Sequence, residues 1–323
     1  MPLRRLIPLL LVCLAALPAA PAAAAGPPGQ SSAAPMRLIF ERAYAVGAQR
    51  VALHGQPLRL KGIVDQYTPG QMVSVEISTG ARRLVTVNRT VEPVGQHGEF
   101  TVDFRALRIG RVTAAATTVP QSGQPSLSAR SYPVDVFLPL AAAGARGLRV
   151  RFLQQRLAAL HYAVPRTGYF DAATARAVLA YRKVNHLPRT FSANRAIFGR
   201  LALMRGGFAV RFKHYGRHVE ADLSRQVLVL INPGGRVFRI YHMASGKAST
   251  PTVLGTFRFY WKTPGTNSLG MVHSSYFIGG YAIHGYRSVP LGPASHGCLR
   301  IPIPNARFVH RWIHRGDRIG VYP

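Results

Sequence analysis

The hydrophobic spacing changes period twice along the chain, and this limits the possible fold more than any other feature. From about residue 36 to 139, apolar and polar positions alternate, most clearly at Val73, Val75 and Ile77. A period of two sends successive side chains to opposite faces of a strand, so this stretch predicts half-buried strands. From Val150 the apolar steps become three, four and three, through Leu153 and Leu157 to Leu160, which lines one face of a helix. After Gly206 short strand-like runs return. The expected architecture is therefore multidomain, ordered β, then α, then β. Its 323 residues suffice for two or three domains, each with a core. An apolar content of 48% excludes wholesale disorder.

Turn and cap signals add detail. Strand-like runs at 51–53, 58–64, 72–77, 84–87, 100–104 and 134–138 predict a small β-sandwich module over 36–140, with no catalytic cluster in it. Small residues at 141–144 predict a hinge into a helical domain, 141–205. There Asp171 is placed to cap a second helix running to Val184, and Ser192 a third carrying Ile197, Phe198 and Leu201. In 206–323, runs at 219–231 and 237–242 flank Asn232-Pro233-Gly234-Gly235, a strong hairpin turn. A second strand pair is expected from 255–261 and 276–284, then a late helix over 305–314 and a closing strand at Arg318–Tyr322.

Residues 1–25 follow the plan of a secretory leader, a signal peptide. Arg4 and Arg5 precede an apolar run at 6–17, and small residues follow with Ala23-Ala24-Ala25 as one cleavage site. The run is too short to span a bilayer, and nothing later supplies the roughly 18 continuous apolar residues a spanning helix needs. Cys13 follows Val12, where a lipoprotein site requires a small residue, so it is not read as lipidated. Residues 26–35 have the Pro, Gly, Ser and Ala composition of a linker. The expectation is an exported, soluble protein of the cell wall or an equivalent periplasmic space, without a stable membrane span once the leader is removed.

With the leader gone, Cys298 is the remaining cysteine, so its thiol is free, intermolecular or catalytic. Two cysteines in all exclude a disulfide framework and a cysteine zinc cluster. Eleven carboxylates against 41 Lys and Arg argue against calcium, magnesium and two-carboxylate glycosidase sites. The chemistry concentrates in Tyr281-Ala282-Ile283-His284-Gly285 and Ser295-His296-Gly297-Cys298-Leu299-Arg300. A cysteine becomes a useful nucleophile beside a base. His296 shares a face with Cys298 if the segment is extended, whereas His284 reaches it from a neighbouring strand. Gly297 permits close backbone approach, which makes the Gly297 and Cys298 amides candidates for an oxyanion hole.

Two stretches carry a family resemblance. Val150-x-x-Leu153-Gln154-x-x-Leu157-x-x-Leu160-x-Tyr162, followed by Gly168-x-Phe170-Asp171-x-x-Thr174-x-x-Ala177-Val178, resembles the three-helix peptidoglycan-binding domain of cell-wall enzymes. His284-Gly285 with Ser295-His296-Gly297-Cys298-x-Arg300 resembles the signature of the L,D-transpeptidase, or YkuD-type, catalytic domain. That likeness spans roughly 208–323, including Thr252-x-x-Gly255-x-Phe257. It implies a mostly β, YkuD-like sandwich with one late helix. It also implies Cys298 as nucleophile, His284 as general base, and Ser295, His296, Gly297 and Arg300 around the pocket and oxyanion hole. His273, Trp261 and Tyr281 are candidate cleft residues. The implied reaction is attack of Cys298 on a peptidoglycan tetrapeptide stem, loss of D-alanine, and 3→3 cross-linking or hydrolysis, with no metal or cofactor.

Competing readings have weaker support. In the commonest secreted wall-peptidase family the cysteine precedes its histidine, the reverse of the order here. A non-catalytic peptidoglycan-binding protein would be expected to lose His284 or Cys298, and both are present. A metal hydrolase lacks H-E-x-x-H, and only Glu220, Asp222 and Asp317 are acidic after residue 205. Glu220 and Asp222, two apart, read as a solvated strand edge, and His214, His242, His310 and His314 as surface or structural. The net charge of +30 lies mostly in the last two domains. No aromatic recognition motif accompanies it, so anionic wall polymers are better expected partners than nucleic acid. With only five lysines among the 41 cations, a coding bias toward arginine is a competing cause.

Overall fold

A computed structural model describes residues 35–122 and 126–323; the expected leader and residues 26–34 of the linker lie outside the described residues. Two sheets form the first module. One runs in the order Met36–Glu41, Pro57–Val64, His97–Arg105, Glu92–Val94, and the other is seven-stranded. Val73, Val75 and Ile77 are fully buried and face Leu38, Leu58 and Leu60 across the interior. Every predicted strand is present. The central strand Gly110–Thr118 was not foreseen, because its inward positions Ala114 and Ala116 have little strand preference despite the correct period.

Three helices follow: α1 (Leu148–Ala159), α2 (Ala172–Val184) and α3 (Arg195–Ala202). Asp171 caps α2 as expected, its carboxylate accepting the Thr174 amide at 2.7 Å. The cap of α3 is Asn194, whose side chain accepts the Ile197 amide; the Ser192 carbonyl instead receives the buried Arg182 guanidinium. The predicted hinge is also corrected. Ala141 is 2% exposed and exchanges two backbone hydrogen bonds with Ala193, so the segment is pinned.

Three short helices bury little alone, and here they share a core with both neighbours. Val51, Leu53 and Phe137 of the first module, Phe152, Tyr181 and Phe198 of the helices, and Val227, Val229 and Ile240 of the last region form one apolar cluster. The Phe152 ring stacks on Phe198 and tilts against Phe137.

The last region has two sheets. One runs Arg236–His242, Val227–Asn232, His218–Asp222, Arg318–Tyr322, Gly255–Arg258. The other runs Trp261–Thr266, Val272–Ile278, Tyr281–Tyr286, Leu299–Pro302, and leads directly into α4 (Ile303–Trp312). The turn at 232–235 closes the expected hairpin. The run at 219–231 is two strands, broken where buried Gln226 takes a φ of 58°. Of the predicted 255–261 and 276–284 pairing, only the end at Trp261 and Tyr276 is kept. Gly255–Arg258 joins Arg318–Tyr322 in the first sheet, and the second run folds into its own hairpin.

Glu220 and Asp222 are not a solvated edge. Their strand lies inside the sheet with both faces covered, and they are 0% and 1% exposed. Glu220 accepts the Arg211 and Phe212 amides and the Tyr322 hydroxyl, while Asp222 accepts the Arg225 amide and pairs with its guanidinium. Burial raises the Glu220 pKa, but hydrogen bonds from His218, Phe212, Tyr322 and Arg211 together hold it below the ordinary value.

Candidate active site

Strands Tyr281–Tyr286 and Leu299–Pro302 run parallel, with Ile283 opposite Leu299 and His284 opposite Arg300. Ile283 and Leu299 enter the core, so His284 and Arg300 take the other face of the sheet. Cys298, one position before Leu299, falls on that face too, half-buried and beside the Ala282 backbone. Its thiol makes a long hydrogen bond to the Gly280 carbonyl, at 3.7 Å, and none to His284.

The loop before Cys298 is held by its own hydroxyl. The Ser295 side chain is 1% exposed, donates to the Cys298 carbonyl at 2.5 Å and accepts the Gly297 amide at 3.0 Å. This corrects the expected pair of oxyanion donors, since the Gly297 N–H is already engaged. Thr252 donates to the Gly297 carbonyl at 2.7 Å, and Thr250 donates to that of Ser295. The Ser245 carbonyl accepts the amides of Ala294 and Ser295, while Gln226 holds Ser245 through both ends of its amide. Thr252, Ser245 and Gln226 are supporting residues that the sequence reading missed. Only Thr252 had a signal, as part of the quoted family pattern.

Gly297 sits at a φ of 114°, and a Cβ there would come within 2.0 Å of the Tyr281 ring. Tyr281 is therefore a wall of this corner. Gly297→Ala is expected to lower stability by roughly 1–3 kcal/mol from backbone strain alone. It should also displace the Cys298 loop, and melting and thiol-acylation rates would both fall. A variant matching wild type in both would refute this account of the corner.

His284 is 3% exposed, and its Nδ1 lies 2.9 Å from the Gly285 carbonyl. A carbonyl only accepts, so Nδ1 carries the proton and Nε2 is the free base. Burial lowers the His284 pKa, and the nearby Arg300 charge lowers it further against the Gly285 bond. Burial raises the Cys298 thiol, partly offset by the Ala282 backbone and Arg300. The resting site thus holds a neutral thiol and a neutral imidazole. The Tyr286 ring stands edge-on to His284 at 5.6 Å and carries the Arg300 guanidinium over its face at 4.1 Å.

The structure therefore gathers Cys298, His284, Ser295, Gly297, Arg300 and Tyr281. His296 is exposed at the loop surface. Trp261 is 53% exposed and lies in the row of Tyr276 and Ala282, three strand spacings from the Cys298 segment or about 14 Å. His273 packs its ring 5.5 Å from His310 of α4 and accepts the Gly265 amide. Among the described residues, no group of three or more His, Cys, Asp or Glu is placed to hold a metal ion, and no helix is long and apolar enough to cross a membrane.

Comparison with known proteins agrees with this geometry. Residues 216–321 match the YkuD family, the L,D-transpeptidase catalytic domain, and residues 146–201 match a peptidoglycan binding domain. The crystal structure of an L,D-transpeptidase (residues 123–326) from Xylanimonas cellulosilytica is 30% identical with a TM-score of 0.51, covering 58% of this chain and 98% of that one. An L,D-transpeptidase (Yku) from Stackebrandtia nassauensis is 18% identical with a TM-score of 0.37, covering 57% and 95%; at that distance it bears on nothing further. No curated protein matches. The chain belongs to the L,D-transpeptidase family, with a YkuD catalytic domain preceded by a peptidoglycan-binding domain.

Proposed function

We propose that the protein is an exported cell-wall enzyme that uses Cys298 to form a thioester with a peptidoglycan tetrapeptide stem. The observation that carries this reading is the shared face of Cys298 and His284, with the unprotonated Nε2 of His284 left free by the Nδ1 bond to Gly285. The Cys298 sulfur attacks the carbonyl carbon between the third stem residue and terminal D-alanine, and Nε2 takes the thiol proton. With the Gly297 amide engaged, the Cys298 amide is the backbone donor for the developing oxyanion. The C–N bond breaks, and the imidazolium returns its proton to the departing D-alanine amine. A side-chain amine on a second stem then attacks the thioester, forms the 3→3 amide and releases the thiol. Water in its place yields a tripeptide. The peptidoglycan-binding domain keeps the site close to its polymer.

The test is incubation of the full chain with disaccharide-tetrapeptide, followed by intact-mass and muropeptide analysis, with Cys298→Ala in parallel. The expected products are an acyl adduct on Cys298 and a dimer lighter than two monomers by one D-alanine. Both should be absent from the variant. Tripeptide alone would assign hydrolysis. Cleavage elsewhere in the stem would indicate an endopeptidase, and unchanged substrate without an adduct would leave a wall-binding protein.

A further inference from the structure

A cleft of about 390 Å³ opens at the seam between the helical module and the catalytic sheets. Arg176 of α2 and Phe191 form one wall, and Tyr286, Arg287 and Val289 form the other. Tyr286 links the cleft to the site described above, because it lies on the same strand face as His284 and touches it edge-on. The cleft thus begins two residues beyond His284 along the strand, on the same side of the sheet.

Its polar lining has one sign. Two arginines line it and no carboxylate does. His242 is there too, but its Nε2 is tied to the Val289 carbonyl at 2.9 Å. The Nε of Arg176 is buried without a hydrogen-bond partner. A buried guanidinium nitrogen left unfilled is costly and leaves the charge under-compensated, and an anion in the cleft, meeting the partly exposed guanidinium, would offset it. Asp171, whose charge acts on Arg176, is committed to capping α2 through its bonds to Thr174. The rest of the lining is Phe191 and the start of α4, an apolar surface suited to aliphatic peptide groups.

We infer that this cleft binds a free carboxylate of a peptide stem, clamped between Arg176 of the peptidoglycan-binding module and Arg287 of the catalytic domain. The inference rests on the stem-peptide reading above and extends it, since the helical module then supplies a residue to substrate recognition. The carboxylate belongs to the stem that acylates Cys298 or to the stem that accepts it, and the two are separable by experiment.

Binding of a disaccharide-tetrapeptide and of its amidated counterpart is measured by calorimetry on the full chain carrying Cys298→Ala, alone and with Arg176→Gln or Arg287→Gln. Arg287 is exposed, so its substitution does not threaten folding. Each arginine change should weaken binding of the carboxylate form about tenfold or more, the effect of losing a charge-assisted hydrogen bond. It should leave the amidated form unchanged. In the active enzyme the same changes should raise KM at nearly constant kcat. A rise for tripeptide release assigns the donor stem, and a rise for the second stem in dimer formation assigns the acceptor. Equal dissociation constants with and without the arginines overturn the inference even if the thioester forms. Absence of both binding and thioester overturns it together with the reading on which it rests.

Discussion

His284→Gln is expected to slow thioester formation by about 100-fold or more, the usual contribution of a positioned general base, with little change in melting temperature. Glutamine can still donate to the Gly285 carbonyl where Nδ1 does, but it has no basic nitrogen. The wild-type pH profile follows from the two shifts. His284 is shifted below 6.5, so the base is already neutral at neutral pH. The thiol is shifted above 9.0, so it stays protonated over the same range. Acylation should rise with pH only below about 6.5 and then run flat through neutrality. Iodoacetamide alkylation of Cys298 should be slow near pH 7 and accelerate only at alkaline pH. Rapid alkylation at pH 6, abolished by His284→Gln, would instead mean a thiolate–imidazolium pair and overturn this description of the resting site.

Lys183→Ala should destabilise the whole protein and reach the active site through the fold. Lys183 projects from α2 into the catalytic region and is 2% exposed. Its Nζ lies 2.8 Å from His242 Nδ1, 3.0 Å from the Met243 carbonyl and 3.2 Å from the Gln226 carbonyl. Because His242 Nε2 donates to the Val289 carbonyl, Nδ1 accepts, so the amine faces three acceptors, of which the Gln226 carbonyl also takes the Met243 amide. Removing the amine leaves His242 Nδ1 and the Met243 carbonyl unfilled, while the Gln226 carbonyl keeps the Met243 amide, a loss of about 3 kcal/mol or more. For a chain this long that corresponds to a melting decrease on the order of 5–10 °C. Gln226 also holds Ser245, which receives the Ser295 amide, so the acylation rate should fall with stability.

Lys183 also makes stability depend on pH. Burial, with the Arg189 charge, lowers its pKa from 10.5 to about 6. Between those values the unfolded chain binds more protons than the folded one, so stability should increase as pH rises through the window. Lys183→Met removes this titration. Melting temperatures taken from about pH 6.5 to 9 should therefore climb more steeply for wild type than for the variant. Parallel slopes would show that the amine is not titrating in that range.

The correctly foreseen features share a local origin. The caps and turns at Asp171 and 232–235, the alternation at 73–77 and the helix face through Val150 and Leu157 depend on neighbours a few residues away. The Ser295-His296-Gly297-Cys298 run stood out through its cysteine, histidine and glycine, and its turn is local too, shaped by one hydroxyl and one glycine. What was misread depended on packing from afar. Glu220 and Asp222 looked solvated because nothing nearby reveals that Arg318–Tyr322 will close over their strand. Lys183 drew no reading from the sequence, because its partners lie 43 to 60 residues downstream.

The sequence by itself thus determined the order of β, α and β segments, most element starts and the tight turn before Cys298, since period, capping and turn chemistry act over a few residues. Tertiary structure alone decided that the helical module shares a core with both neighbours, that the Gly297 amide is occupied, and that polar residues such as Gln226 and Lys183 work from the interior. The physical reason is burial. Whether a polar group meets water or a partner depends on which distant segment covers it, and no local pattern records that.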